Sequence, residues 1–381
     1  MRKIAAILAM SVIALFFAGC DGQPRADGDR LRVVATIFPQ FDFVRQIAGD
    51  RVELVMLLSP GAESHGFEPT PRDIITINSA DLLIYVGGHG DVWVAPILAS
   101  LGRDDMRAVA LLDLVAVVEV AHHHHGHDHD HHNGHGHHHH GHDHGHGHHH
   151  GHAHGHHHGH DCDDDDCEHD HHGHGHHHGH GHQHGHAHHH GHHHHHAHAH
   201  HHDHEHHYDE HVWTCPRNAI LIVRALANVL SELDPANEGF FRANADAFVA
   251  ELEELDRLFA GIVAGAARRT VVFGDRFPFR YLTDTYGLTY HAAFVGCSAE
   301  TQASPATIAF LIRTVQEENI PVVFHIEFSN RFIANTIAEA TGARLLELHS
   351  LHNVSHADFN AGVTYIDLMR RNAEMLREAL N

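Results

Sequence analysis

Beyond residue 30 the chain alternates short apolar runs with amphipathic ones. Residues 31–36 are rich in β-formers, 38–48 are apolar at helical spacing and stop at Gly49-Asp50, and 52–58 read as a second strand. The turn Ser59-Pro60-Gly61 leads into a loop that carries His65. Thr70-Pro71 has the form of a helix start, with a capping hydroxyl before a first-turn proline. Residues 81–86 form a third strand pattern ending at Gly87-Gly88, 92–101 are helical, and 107–112 read as a fourth strand. Strands that alternate with helices predict a mostly parallel sheet covered on both faces. Such sheets bind ligands beyond the carboxyl ends of their strands.

Periodicity vanishes over residues 122–207 and returns at Val212-Trp213, before a helical run over 219–230. Asp234-Pro235 then opens a long helical pattern. Phe241, Phe248, Leu252, Leu255, Phe259 and Ile262 recur at steps of seven, four, three, four and three, one continuous apolar stripe. A second alternation follows, with strands over 270–273, 288–294, 322–326 and 345–348. Helices are expected over 277–286, 305–318 and 331–341, and a last one over 359–380. The predicted architecture is α/β: two lobes, each with a mostly parallel sheet flanked by helices, joined by one long helix with a cleft between them. The expected segments are a leader (1–20), a tether (21–30), an N-terminal lobe (31–234, interrupted by 122–207), a connecting helix (235–264) and a C-terminal lobe (265–381).

Composition changes this picture in one place. The chain has 381 residues and 59 histidines, and 52 of these fall between His122 and His211. Histidine, glycine and aspartate dominate that stretch, which lacks the apolar side chains needed to offset chain entropy, so disorder is expected there. The formal charge is −25 with histidine neutral. A chain this negative lacks the basic face of a nucleic-acid binder and suits cations. The start MRKIAAILAMSVIALFFAGC has a positive end, then an apolar run too short for a stable membrane span, then small residues before Cys20. That ending resembles a lipobox. It implies cleavage before Cys20, a lipid on its sulfur, and a mature protein held outside the cytoplasm. An ordinary signal peptide, which would leave the protein soluble in the periplasm, is the alternative. An exported chain permits disulfides among Cys162, Cys167, Cys215 and Cys297, with the pairing left open by the sequence.

Zn²⁺ prefers imidazole nitrogen and carboxylate oxygen, usually four ligands brought together by the fold. Outside the histidine-rich stretch the strongest candidates are His65, in the loop after the second strand, and His211, where ordered sequence resumes. Here the chain resembles the solute-binding lipoproteins of bacterial metal ABC transporters, the ZnuA/TroA-like zinc and manganese binders, over about residues 30–380. The resemblance rests on Pro60-Gly61, His65, Glu68-Pro69-Thr70-Pro71 and Ala80-Asp81-Leu82, and on Asp209, His211, Trp213 and Pro216 after a His/Asp-rich loop. It implies metal at the interface of the two lobes, with His65 and His211 as ligands. The third ligand of the family pattern falls on or beside Gly274, with Asp275 the nearest side chain able to bind. The fourth falls near His349, with Glu347 or His352 as replacements, and Glu327 ends a strand facing the cleft as a ligand or an orienting group. His89, His291, His325 and His356 read as turn, structural or surface residues.

The resemblance further implies a permease and its ATPase as partners, an N-terminal lipid in the outer face of the cytoplasmic membrane, and a monomer. Zn²⁺ is the expected cargo, with Mn²⁺ or iron as the alternative. The histidine-rich stretch is expected to gather or buffer metal, and metal storage through that stretch is a competing reading. No HExxH or Gly-x-Ser-x-Gly element is present, so no enzyme is expected.

Overall fold

A computed structural model describes residues 30–64, 66–118, 208–295 and 303–381. The leader with Cys20, His65, the histidine-rich stretch with Cys162 and Cys167, and Cys297 lie outside the described residues.

The first sheet contains β1 (Leu31–Ala35), β2 (Val52–Met56), β3 (Leu82–Tyr85) and β4 (Arg107–Ala110) in the order β2-β1-β3-β4. The second contains β5 (Thr270–Phe277), β6 (Thr289–Val295), β7 (Val322–His325) and β8 (Arg344–Glu347) in the order β6-β5-β7-β8. All pairs are parallel. The two lobes therefore share one topology, and each has a crevice at the carboxyl ends of its strands where the winding reverses, between β1 and β3 and between β5 and β7. Helices α1 (Phe38–Ala48), α2 (Pro71–Asn78) and α3 (Val94–Leu101) belong to the first lobe. The second lobe carries α6 (Arg280–Tyr286), α7 (Pro305–Glu317), α8 (Phe332–Thr341), α9 (His356–Asn360) and α10 (Tyr365–Leu380).

Between the lobes run α4 (Pro216–Leu233) and the 27-residue α5 (Glu238–Ala264). At 1.5 Å per residue α5 spans roughly 40 Å. Its apolar stripe is buried in full, from Phe241 and Phe248 to Phe259 and Ile262. It packs on α4 and also on α1 and α10, one helix from each lobe. One core cluster therefore runs unbroken from Leu31 in β1 to Leu380 in α10, while the outer face of each sheet has its own smaller cluster. Buried polar contacts reinforce the junction. Tyr365 donates its backbone N–H to Asp42 (2.6 Å) and its hydroxyl to the Trp213 carbonyl (2.6 Å). Burial pushes the Asp42 carboxyl above its usual range, against the pull of Arg45 beside it.

Two boundaries differ from the sequence pattern. The strand expected over 270–273 continues to Phe277, and the helix expected from 277 starts at Arg280. Pro278 explains this, because the residue before a proline is pushed into extended backbone. The ladder slips by one residue between Phe273 and Arg276, a bulge that bends the end of β5 around Gly274 and Asp275. The helix expected over 359–380 breaks in two. Gly362 takes a left-handed φ of 73°, and Thr364 then caps α10 through a reciprocal pair with Asp367. Replacing Thr364 by alanine should lower stability by about 1 kcal/mol, readable as a shifted urea midpoint.

A half-buried acid marks the edge of the first lobe. Asp91 accepts the backbone N–H groups of Val86 (2.5 Å) and Gly87 (3.2 Å), and Glu210 lies against the Gly90 N–H (3.2 Å). Burial raises the Asp91 carboxyl to about 6, the two amides pull it down, and Glu210's charge pushes it up. A folded-state value above the unfolded one means stability that is complete below pH ~4 and is lost as pH rises through about 6. Asp91→Asn keeps an acceptor for both amides without the charge. Its stability relative to the native protein should rise between pH 4 and 7, by on the order of 2 kcal/mol in denaturant titrations.

Candidate metal centre

His211 is almost completely buried, just before a single 3-10 turn at Val212–Thr214. Asp209 Oδ1 accepts both its backbone N–H (2.9 Å) and its Nδ1–H (2.8 Å). Burial works against the Asp209 carboxylate. The His211 ring, its two hydrogen bonds and the more distant Arg280 nevertheless hold it below its ordinary range. The Asp209 carbonyl in turn accepts the Tyr281 hydroxyl (2.8 Å), which fixes this turn to the second lobe. With Nδ1 committed to a carboxylate, Nε2 is the ring nitrogen that could bind a metal.

The ring that meets His211 is His352. Their centroids lie 4.8 Å apart and nearly perpendicular, and Trp213 stands edge-on to His352 at 4.9 Å. His352 follows β8 in the segment Leu348-His349-Ser350-Leu351-His352, where Leu351 takes a left-handed φ of 66°. That kink turns His349 and His352 in different ways. His349 receives the Leu351 N–H on its Nδ1 (3.0 Å), stands 3.8 Å from Glu327 Oε2, and has its backbone clamped by Asn372 (2.8 Å to each group). His352 instead lies against Ser350, whose hydroxyl is 2.8 Å from its Nδ1. Glu327, buried just beyond β7, accepts the Ser350 N–H (2.6 Å) and the Ser350 hydroxyl.

Asp275 is buried in the β5 bulge and accepts the backbone N–H groups of Arg276 (2.8 Å) and Ile326 (3.3 Å). Gly274 beside it has no room for a side chain, since a Cβ there would fall 2.3 Å from Ala334 Cα. Glu347 is a surface residue, 3.6 Å from Arg331. His65 lies outside the described residues, but its neighbour Ser64 helps to line a cavity of about 20 Å³ together with Glu63, Glu327, Ser350 and His352. That volume suits one water or one ion. Its walls come from the loop after β2 in one lobe and from segments after β7 and β8 in the other, so it lies between the lobes. A larger hollow of about 570 Å³ adjoins it, sharing Glu63 and Glu327 and reaching Asp275. The Arg276–Glu63 ion pair (3.0 Å) crosses between the lobes there.

Among the described residues no group of three or more His, Cys, Asp or Glu side chains is arranged to hold a metal ion. His211 and His352 form a pair, and His352 lines the small cavity together with Ala62, Glu63 and Ser64. The remaining histidines stand elsewhere. His89 and His356 are exposed, His291 lies against the Phe310 ring, and buried His325 bonds its own chain at the Ile326 carbonyl (2.9 Å). Cys215 is buried as a free thiol, 3.3 Å from the Thr285 hydroxyl. Sequence reasoning passed over Ser350, because its role depends on the Leu351 kink and no local pattern announces a left-handed leucine.

The model of the ZnuA family, described as the periplasmic zinc-uptake complex component A, matches residues 33–379. The zinc-binding lipoprotein AdcA of Streptococcus pneumoniae is 25% identical over 378 residues, which cover 99% of this chain and 61% of AdcA. The chain thus spans about three-fifths of that relative. The high-affinity zinc uptake system protein ZnuA of Bacillus subtilis is 25% identical over 387 residues, 100% of this chain and 98% of that one. Among solved structures, the Zn(II)-bound ZnuA-like domain of S. pneumoniae AdcA superposes with a TM-score of 0.62 at 21% identity, covering 92% of this chain and 99% of that domain. The metal-dependent lipoprotein YcdH of B. subtilis gives 0.64 at 22% identity, covering 92% and 100%. These structures share the fold described above. With a family model that matches nearly the whole chain and two like-wound lobes that meet at a pair of buried imidazoles, the chain belongs to the ZnuA family.

Proposed function

We propose that the chain is the extracytoplasmic zinc-binding component of a metal ABC uptake transporter, which captures Zn²⁺ between its lobes and hands it to a membrane permease. The observation that carries this reading is the contact of the His211 ring, fixed through Nδ1, with His352, which lines a one-ion cavity between the lobes. His65, His211 and His352 supply three imidazoles, and Asp275 the carboxylate at the fourth position. His352 is preferred to His349 because the Leu351 N–H occupies His349 Nδ1, which places that ring's proton on Nε2. A nitrogen-rich set of this kind favours zinc over manganese, which binds more weakly to the same donors.

In this reading Cys20 carries the lipid that holds the protein at the outer face of the cytoplasmic membrane. The permease works with its ATPase, and residues 122–207 gather or buffer metal around the cleft. The chain acts by binding and release, and no reaction is involved. Zinc uptake by cells that lack the chain, complemented with the native form or with His211→Ala, tests the proposal. Restored growth in zinc-poor medium with the native form alone supports it. Equal rescue by His211→Ala would point to storage in the histidine-rich stretch.

A further inference from the structure

Ser350 is completely buried and has a single hydroxyl proton to place. An ionised carboxylate carries acceptors only. Glu327 receives the Ser350 N–H on Oε2 (2.6 Å) and has Oε1 against the Ser350 hydroxyl, so that hydroxyl proton points to Glu327. The lone pairs of the same oxygen then face His352, at 2.8 Å from Nδ1 and 3.3 Å from the backbone N–H. A hydroxyl whose proton is already donated acts as an acceptor, so the nitrogen facing it carries hydrogen. A neutral imidazole has one N–H. With that proton on Nδ1, the lone pair sits on Nε2, on the far side of the ring from Ser350.

We infer that Ser350 is a positioning residue for metal capture, relaying the charge of Glu327 to hold His352 in its Nδ1–H tautomer. The inference rests on the reading of His352 as a ligand. The site then has two forms of one device. Asp209 orients His211 directly, and Glu327 orients His352 through a hydroxyl. His349 is the internal contrast. Three residues away and also near Glu327, it accepts a backbone N–H on Nδ1 and so takes the opposite tautomer. Two non-glycine residues in left-handed backbone, Phe328 (φ 57°) and Leu351 (φ 66°), flank the Glu327 and Ser350 contacts. Backbone held in sparsely populated regions is a frequent mark of functional sites.

The test uses the full chain, with Zn²⁺ as the probe. Trp213 packs on both rings of the pair, so in a Trp93→Phe background its fluorescence reports this site alone, and competition from the histidine-rich stretch is common to all variants. Ser350→Ala is expected to weaken zinc binding about 10- to 100-fold, as loss of an orienting partner does, while Ser350→Thr stays within about three-fold of native. Nitrogen-15 spectra of the metal-free native protein, with His352 assigned by difference from His352→Gln, should show a protonated Nδ1. That measurement needs no Ser350 variant and stands even if Ser350→Ala does not fold. An Nε2–H tautomer for His352, or Ser350→Ala binding within two-fold of native, would overturn the inference. Unchanged zinc binding by His352→Gln would instead remove His352 from the ligand set.

Discussion

Alanine at His211 or at His352 is expected to weaken zinc binding between the lobes by more than about a hundred-fold. The lower bound follows from second-sphere losses, which alone reach 10- to 100-fold, and a lost ligand exceeds them. Asp209→Ala should fall inside that second-sphere range, because it frees the His211 ring to turn without removing a donor. His349→Ala and His356→Ala should stay within about two-fold, the former because its Nδ1 is held by the Leu351 N–H and the latter because it is exposed. The contrast between His349 and His352 is the informative part. Isothermal titration of the native chain and the five variants, with zinc bound by the histidine-rich stretch subtracted as a shared weak class, gives the ranking. A loss at His349→Ala as large as that at His352→Ala would reverse the preference between them.

A second large effect is expected at Gly274. The family pattern places its third ligand on or beside this residue, so a histidine there is the obvious repair. The fold forbids it. A Cβ on Gly274 would meet Ala334 Cα at 2.3 Å and Ala334 N at 2.6 Å, and backbone of α8 cannot yield as a side-chain tip can. Gly274→Ala should therefore cost about 1–3 kcal/mol or more through overpacking, and Gly274→His should destabilise further while adding no ligand. Gly261, in the exposed face of α5 with nothing near its Cβ position, is the control. Gly261→Ala should be neutral or stabilising by up to about 1 kcal/mol. Denaturant midpoints of the variants separate these outcomes, and a Gly274→Ala protein as stable as native would show that α8 can move away from β5.

Most of the fold was legible because its elements are written in local periodicity. The stripe from Phe241 to Ile262 defined the connecting helix, and all six residues are buried in it. The parallel sheet of each lobe followed from the alternation of strands with helices, while the strand order came only with the structure. What the pattern hid lies where one residue overrides its neighbours. Pro278 extends β5 through a bulge, and Gly362 divides the C-terminal helix. The site divides in the same way. His211 stands in a recognisable Asp-x-His-x-Trp element, and its Asp209 partner comes with it. The segment from His349 to His352 offers two imidazoles, and the sequence pattern favours His349 over His352. Only the left-handed turn at Leu351 decides which ring meets His211, and that turn is set by tertiary contacts to Asn372, Trp213 and the loop after β2.

Crystals of the native chain loaded with one equivalent of Zn²⁺, measured on both sides of the zinc absorption edge, test the central claim most directly. The expected result is an anomalous peak between the lobes, about 2.0–2.1 Å from Nε2 of His65, His211 and His352. A peak bound through His349 without His352, or zinc found only along residues 122–207, would contradict it.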